Sequence, residues 1–184
     1  MIRCKWCNLK NEKYIEYHDK EWCKPNFDDK YLFEMLILES FQAGLSWECV
    51  LNKREDFRKA FDNFDVEKIC NYNDEKVQEL LKNEKIIRNK LKINATINNS
   101  KIFKKIQNEY GTFHNYLKTF TNDVIIYEID KTTNQLSDDL SKDLQKRGMK
   151  FVGSTIIYSY LQAIGIIYSH DKECFMYKQE LNFI

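Results

Sequence analysis

The sequence predicts an all-α fold, and three observations carry that prediction. Gly and Pro, which punctuate turn-rich β architectures, number only five and one. Apolar residues recur at helical spacing along most of the chain. Only one run, 124–129, reads as a strand. With 184 residues, 43% of them apolar, the chain can bury a core as one compact domain over 1–184.

The elements follow in order. An apolar-rich helix over 28–43 ends at Gly44, a natural residue just past a helix C-terminus. Ser46 caps the next helix, and Trp47, Val50, Leu51, Phe57 and Phe61 fall on one face of it. Asp65 caps a short helix through Cys70, and Asn73 or Asp74 caps another. Ile86, Ile87, Leu91, Asn94, Ile97, Ile102 and Ile106 trace a stripe on a long helix that stops near Gly111. Phe113, Tyr116, Leu117 and Phe120 form a further short helix. The 124–129 run is too isolated to build a sheet and reads as a loop or short helix. Two last helices, starting near 138 and ending near 164, flank the hexapeptide GMKFVG.

Composition then narrows the function. The net charge of +1 gives a weak overall field, so a protein that grips a polyanion must concentrate its basic residues locally. No apolar run reaches the ~18 residues of a membrane span. The start, MIRCKWCNLKNEK, lacks the apolar core of a secretory signal, so a cytoplasmic location is expected. In that reducing compartment the six cysteines are thiols, metal ligands or core residues, with Cys49 and Cys70 as core thiols.

Several groups of residues point to chemistry. Gly148 ends one helix; Gly153 precedes the next, whose first turn carries Ser154 and Thr155. Lys142, Lys146, Arg147 and Lys150 crowd the same hairpin. A phosphate seated there meets backbone donors, hydroxyls and cations together; the plainer reading is a turn with a solvated basic face. The N-terminal third concentrates aromatics, including Trp6, Tyr14, Tyr17, Trp22 and Trp47, and a flipped nucleobase needs flat side chains to stack on. Phe33, Phe41, Phe57 and Phe61 need no role beyond the core. Glu34, four residues after Lys30, reads as a surface ion-pair member. Glu39 has Met35 and Ala43 at those positions instead, and a carboxylate in apolar surroundings is costly unless paired, so it is the better site candidate. Cys4 with His18 and His170 with Cys174 form two half-sites whose thiols and imidazoles suit a tetrahedral zinc, with Cys7 and Cys23 as competing thiols. His114 reads as an ordinary interface residue.

The segments RCKW, YIEYHDKEW, LFEMLILESFQAGLSW, KREDFRKAFDNFD, IIRNKLKI, LSKDLQKRGMKFVGSTIIYSYLQAIG and HDKECF, in order from Arg3 to Phe175, resemble the 3-methyladenine DNA glycosylase I family of the helix-hairpin-helix glycosylase superfamily. The resemblance implies a two-lobed all-α fold with the base pocket between the lobes and a helix-hairpin-helix element at about 138–165. It implies one structural zinc per chain, held by Cys4 and His18 from 4–18 and by His170 and Cys174 from 170–174. It implies a base pocket of Glu39, Tyr17 and Trp47 with Trp6, Tyr14 and Trp22 nearby; the hairpin residues Lys146, Arg147, Gly148, Lys150, Gly153, Ser154 and Thr155 are, on their own chemistry, the candidates for DNA-backbone contacts. The implied activity is excision of 3-methyladenine from double-stranded alkylated DNA by a monofunctional, monomeric enzyme with no membrane partner, releasing the free base. Glu39, ionised, would attract the cationic base, and Asp171 reads as an ordinary acid of the zinc loop. Two departures stand out: Cys23 replaces the family's usual Gly after the YHDxEW pattern, and Cys7 is an extra thiol. The 121–136 segment lies outside the segments that carry the resemblance. The alternatives are a non-enzymatic zinc-stabilised helix-hairpin-helix DNA-binding module and a zinc hydrolase with an open coordination position.

Overall fold

Short polar side chains write most of the helix starts, by accepting hydrogen bonds from N–H groups that have no partner in the first turn. In the computed structural model, which describes residues 1–178, Asn11 caps α1 (Glu12–Lys20), Asp28 caps α2 (Asp29–Gln42) and Ser46 caps α3 (Trp47–Asn52). Next come α4 (Arg54–Ala60), a single 3-10 turn at Asp62–Phe64, and α5 (Val66–Ile69) capped by Asp65. Asn73 caps α6 (Asp74–Lys82), Asn89 caps α7 (Lys90–Tyr110), and Thr112 caps α8 (Phe113–Thr121). Asn134 starts α9 (Gln135–Lys146) through a reciprocal capping box with Ser137. The last helix, α10 (Ser154–Ala163), begins at Gly153 without a side-chain cap.

The core is built around α2. Every residue from Leu32 to Phe41 is buried. A helix that is apolar all round has to be surrounded, and α3, α7, α8 and α10 pack against this one. Its central place fixes what it carries: Glu39 cannot reach bulk water except through a cavity.

Four expectations need correction. The 47–61 helix is two helices, because Lys53 breaks it into α3 and α4 with φ −98° and ψ 0°. Leu51 and Phe57 are six residues apart, ~1.7 turns, and would point to different faces of one straight helix; the break turns both inward. The long-helix stripe holds only in its second half. Ile86 and Ile87 precede the Asn89 cap and Leu91 is 71% exposed, while Ile102 and Ile106 are buried as expected, beside Lys92, Ile93, Ala95, Thr96, Asn99, Ser100 and Phe103. Polar residues sit there because each has a partner, as with Thr96 Oγ1 donating to the Lys92 carbonyl at 3.0 Å. The 124–129 run does form a strand: β1 (Ile126–Tyr127) pairs in parallel with β2 (Ile167–Tyr168). Cys49 and Cys70 are only half-buried, not core thiols.

At Cys23 the backbone takes φ +61°, the left-handed region that favours glycine. The turn it makes lets the chain after α1 lie against the end of α10, with Cys23 N–H donating to Gln162 O at 3.0 Å. Opposite, Gly165 (φ +80°) leaves no room for a side chain, since a Cβ would come within 2.3 Å of Lys24 and Pro25 backbone atoms.

Candidate functional site

The six aromatic and acidic residues singled out above converge on one cavity of about 350 Å³: Trp6, Tyr14, Tyr17, Trp22, Glu39 and Trp47 all line it. Tyr14 and Tyr17, three apart, share a face of α1. Trp47 starts α3, and its ring lies 5.2 Å from that of Tyr17. Trp6 is edge-on to Tyr14 at 5.2 Å and to Trp22 at 4.7 Å. These rings form flat walls with little freedom to move.

The polar groups in those walls lack partners. Glu39 is 3% exposed, and among the described residues its Oε2 has no hydrogen-bond partner, nor do Gln42 Oε1, Trp6 Nε1 and Trp47 Nε1. Buried polar atoms are rarely left so, and all four residues line the same cavity. Together they offer acceptors and ring N–H donors to a flat polar ligand. Burial alone pushes the Glu39 carboxyl well above its ordinary range. Burial likewise raises Tyr17, which stays a neutral phenol.

Glu34 is corrected from a surface residue to a buried one at 5% exposure. Arg54 Nε donates to it at 2.5 Å and Arg58 pairs with it at 2.7 Å, while Arg54 also holds Glu21 at 2.8 Å. The two buried glutamates of α2 therefore differ: one is neutralised twice, the other not at all. Sequence reasoning passed over Gln42, although its place three residues after Glu39 was a usable signal. It also missed Gln162 of α10 and Asp130 and Lys131, which line the cavity from the loop after β1. Nothing local marks that loop, because its position depends on the distant pairing with β2.

Beside the cavity, Cys4, His18, His170 and Cys174 are all buried with their ligand atoms within 4.8 Å of one another. The sulfur–nitrogen distances are 3.4 Å for Cys4–His170, 3.5 Å for Cys174–His18 and 3.5 Å for Cys174–His170. Metal–sulfur and metal–nitrogen bonds of about 2.3 and 2.0 Å at a tetrahedral angle place such atoms about 3.6 Å apart, so the cluster can hold one metal ion. Burial lowers the His170 imidazole to about 4, keeping it in the neutral form that ligates. His18 turns its Nδ1 to Asp19 at 2.8 Å, and a hydrogen bond from Arg3 holds that carboxyl down to about 2. A carboxylate behind a histidine orients the ring towards a metal. Cys7 and Cys23 lie outside the cluster; Cys7 Sγ faces Tyr14 O at 3.8 Å and Cys23 Sγ accepts from Ser169 N–H at 3.3 Å. Asp171 accepts from Lys5 N–H at 2.7 Å, donates its N–H to Cys4 Sγ at 3.3 Å, and also reaches the cavity wall.

The α9–α10 hairpin forms a second surface. Asn98 and Asn99 of α7 clamp its turn: Asn98 Nδ2 donates to Gly148 O, and Asn99 bonds both Lys150 N–H and Lys150 O, each at 2.9 Å. Gly148 takes φ +100°. Lys142, Lys146, Lys150, Gly153 and Thr155 are exposed. Two candidates are otherwise engaged. Arg147 pairs with Glu109 at 2.6 Å and Asp143 at 2.7 Å and lies over the Tyr116 ring at 5.1 Å. The Ser154 hydroxyl bonds Asp138 and Ser137. His114 stacks on Phe27 at 4.2 Å, an interface role.

A family model described as methyladenine glycosylase matches residues 6–177. The DNA-3-methyladenine glycosylase 1 of Escherichia coli K12 is 41% identical over 184 residues, 96% of this chain and 97% of that protein. The DNA-3-methyladenine glycosylase of Haemophilus influenzae is 38% identical over 178 residues, 94% and 96% of the two chains. A crystal structure of 3-methyladenine DNA glycosylase I matches with a TM-score of 0.92 at 39% identity, over 96% of this chain and 100% of that one. A tyrosine-to-phenylalanine variant of 3-methyladenine DNA glycosylase I, in complex with 3-methyladenine, matches at 0.89 and 32% identity, over 95% and 96%.

Proposed function

This chain belongs to the methyladenine glycosylase family, and from that membership we infer that it hydrolyses the N-glycosidic bond of 3-methyladenine in alkylated DNA, releasing the base and leaving an abasic site. One observation carries the assignment of roles: the unpartnered Glu39 carboxyl in an aromatic cavity. Methylation at N3 makes the adenine cationic. When the C1′–N9 bond breaks, its electron pair goes to the base, which leaves neutral; a water oxygen bonds C1′ and its proton passes to solvent. The base therefore needs no prior protonation, and what the protein supplies is selection and positioning.

Glu39 supplies the selection. In the empty cavity burial favours its protonated form. A cationic base gives the ionised form the counter-charge it lacks, whereas neutral adenine does not. Tyr17 and Trp47 wall the base, and a cation over their faces gains further attraction. Trp6, Tyr14 and Trp22 complete the walls. The two lobes expected of the family would meet at this cavity, which α1, α2, α3 and α10 share.

The donor set of two thiolates and two imidazoles suits zinc. With four protein ligands no position is left for water, so its contribution is to hold Cys4, His18, His170 and Cys174 together. On the DNA side, Lys146 and Lys150 and the uncapped N-terminus of α10, from Gly153 to Thr155, suit backbone phosphates. Among the described residues no helix is long and apolar enough to cross a membrane. A reducing compartment such as the cytoplasm fits six unpaired cysteines, and a monomer is the working assembly. Chromatography of bases released from methylated duplex DNA tests the reading: 3-methyladenine is the expected product, and its absence overturns the assignment. A plain DNA-binding module would need no cavity lined by orphaned polar atoms.

A further inference from the structure

Lys92 is a buried lysine without a carboxylate. It stands in the first turn of α7 at 6% exposure, and among the described residues no acidic group forms an ion pair with it. Lysine is almost never buried unpaired, so its partners are informative. Its Nζ donates to the carbonyls of Phe41 at 2.7 Å and Ala43 at 2.6 Å and lies 5.8 Å from the centre of the Phe151 ring.

Those contacts join three parts of the site. Phe41 ends the buried run of α2, between Glu39 and Gln42. Ala43 begins the short connection through Gly44 to Trp47. Phe151 belongs to the α9–α10 hairpin turn. The end of α2 needs such help: its last carbonyls lack N–H partners within the helix, its negative end has no basic residue of its own, and Gly44 turns away at φ +77°. An ammonium brought from α7 satisfies two carbonyls and the helix dipole at once. Burial lowers its pKa, a cost to the ammonium that the two carbonyls offset.

Resting on the glycosylase reading, we propose that Lys92 is a positioning residue for base excision. It pins the α2–α3 connection, so that Gln42 on one side and Trp47 on the other keep their places in the cavity wall, and it ties that connection to the DNA-facing hairpin.

The test uses the full-length, metal-loaded chain with Lys92→Met, Lys92→Gln and Lys92→Arg. Lys92→Met keeps the stem and removes the donors. Its kcat is expected to fall about tenfold, and its Kd for free 3-methyladenine, read by tryptophan fluorescence, to rise by a similar factor. Affinity for undamaged duplex should stay within about twofold, because the phosphate contacts lie elsewhere. Lys92→Arg, which keeps the charge and enough N–H donors for both carbonyls, should recover much of both parameters. Where the methionine variant folds poorly, Lys92→Gln, which is neutral and carries its amide NH2 on a shorter stem, should show a smaller loss of both parameters in the same direction. A purely structural role predicts a lower melting temperature but native kcat, KM and base affinity in the folded fraction; that result overturns the proposal. A native chain that releases no 3-methyladenine overturns the functional reading instead, whereas native release matched by all three variants overturns the role of Lys92 alone.

Discussion

At the scale of single residues, two glutamates on one helix show how surroundings decide a role. Glu34 is held by Arg54 and Arg58, and Glu39 by nothing. Replacing Glu39 with Gln keeps its shape and deletes its charge. Base release is expected to fall about 10²- to 10³-fold, the usual loss when one preorganised electrostatic contact is removed, as measured by chromatography of methylated-DNA digests; undiminished release removes Glu39 from the mechanism. The same residue carries a pH signature. Its folded pKa is raised by burial, so folding is fully favourable below the unfolded value of about 4.3 and loses stability as pH rises through the folded pKa. Thermal melts should therefore show Glu39→Gln gaining on the native chain as pH rises from 5 to 8, and an advantage that stays flat with pH would show the carboxyl to be solvated. Sequence made Glu39 legible through the missing cation at its helical neighbours. It concealed Glu34, because the arginines that hold it are 20 and 24 positions further along. Cys23 is legible only in hindsight: its φ of +61° explains why glycine is usual there.

At the scale of elements, the hairpin divides its basic residues into two kinds. Lys150 is exposed and projects from a turn whose backbone Asn99 holds on both sides. Arg147 is bound to Glu109 and Asp143 and covers Tyr116. Lys150→Met should therefore reduce the slope of log affinity against log salt for duplex DNA by about 1, the signature of one lost phosphate contact. Arg147→Met should leave that slope unchanged and lower stability by about 1–2 kcal/mol through lost packing and pairing; an equal drop in slope for both would return Arg147 to the phosphate surface. The two glycines and the lysine of GMKFVG were readable directly. The clamp was not, since Asn98 and Asn99 look like surface residues of a helix until the hairpin is laid against them. The β1–β2 pair was hidden for a similar reason. A strand of two residues has no period to detect, and its partner lies some 40 residues on.

For the whole molecule, the Cys4, His18, His170 and Cys174 cluster, which could hold a metal ion, decides whether the N- and C-terminal segments hold the cavity together. Sequence offered the four residues as two half-sites, Cys4 with His18 and His170 with Cys174, but did not show that the half-sites meet: Cys4 and His170 are 166 positions apart, and Cys7 and Cys23 were competing thiols. The structure brings four together and gives the other two different partners. It also shows what leans on the cluster. The Trp6 ring is 5.3 Å from His18, the Trp22 ring is 4.7 Å from His170, and Phe175 N–H donates to Ile2 O at 2.9 Å. Two cavity walls thus rest on two residues of the cluster, while α2 packs against α3, α7, α8 and α10, and α9 packs against α8 and α10; α10 also touches β2, which leads into His170. Removing the metal, by chelator or by Cys174→Ala, should accordingly separate functions. Tryptophan fluorescence should shift and affinity for 3-methyladenine should fall by at least about tenfold, whereas duplex binding and most helical circular dichroism should persist. Cys7→Ala and Cys23→Ala should keep one metal per chain by elemental analysis. Metal-free protein that binds the base with native affinity would show the cluster to be a bystander. Loss of duplex binding in step with base binding would show that the clasp supports the whole fold rather than the cavity alone.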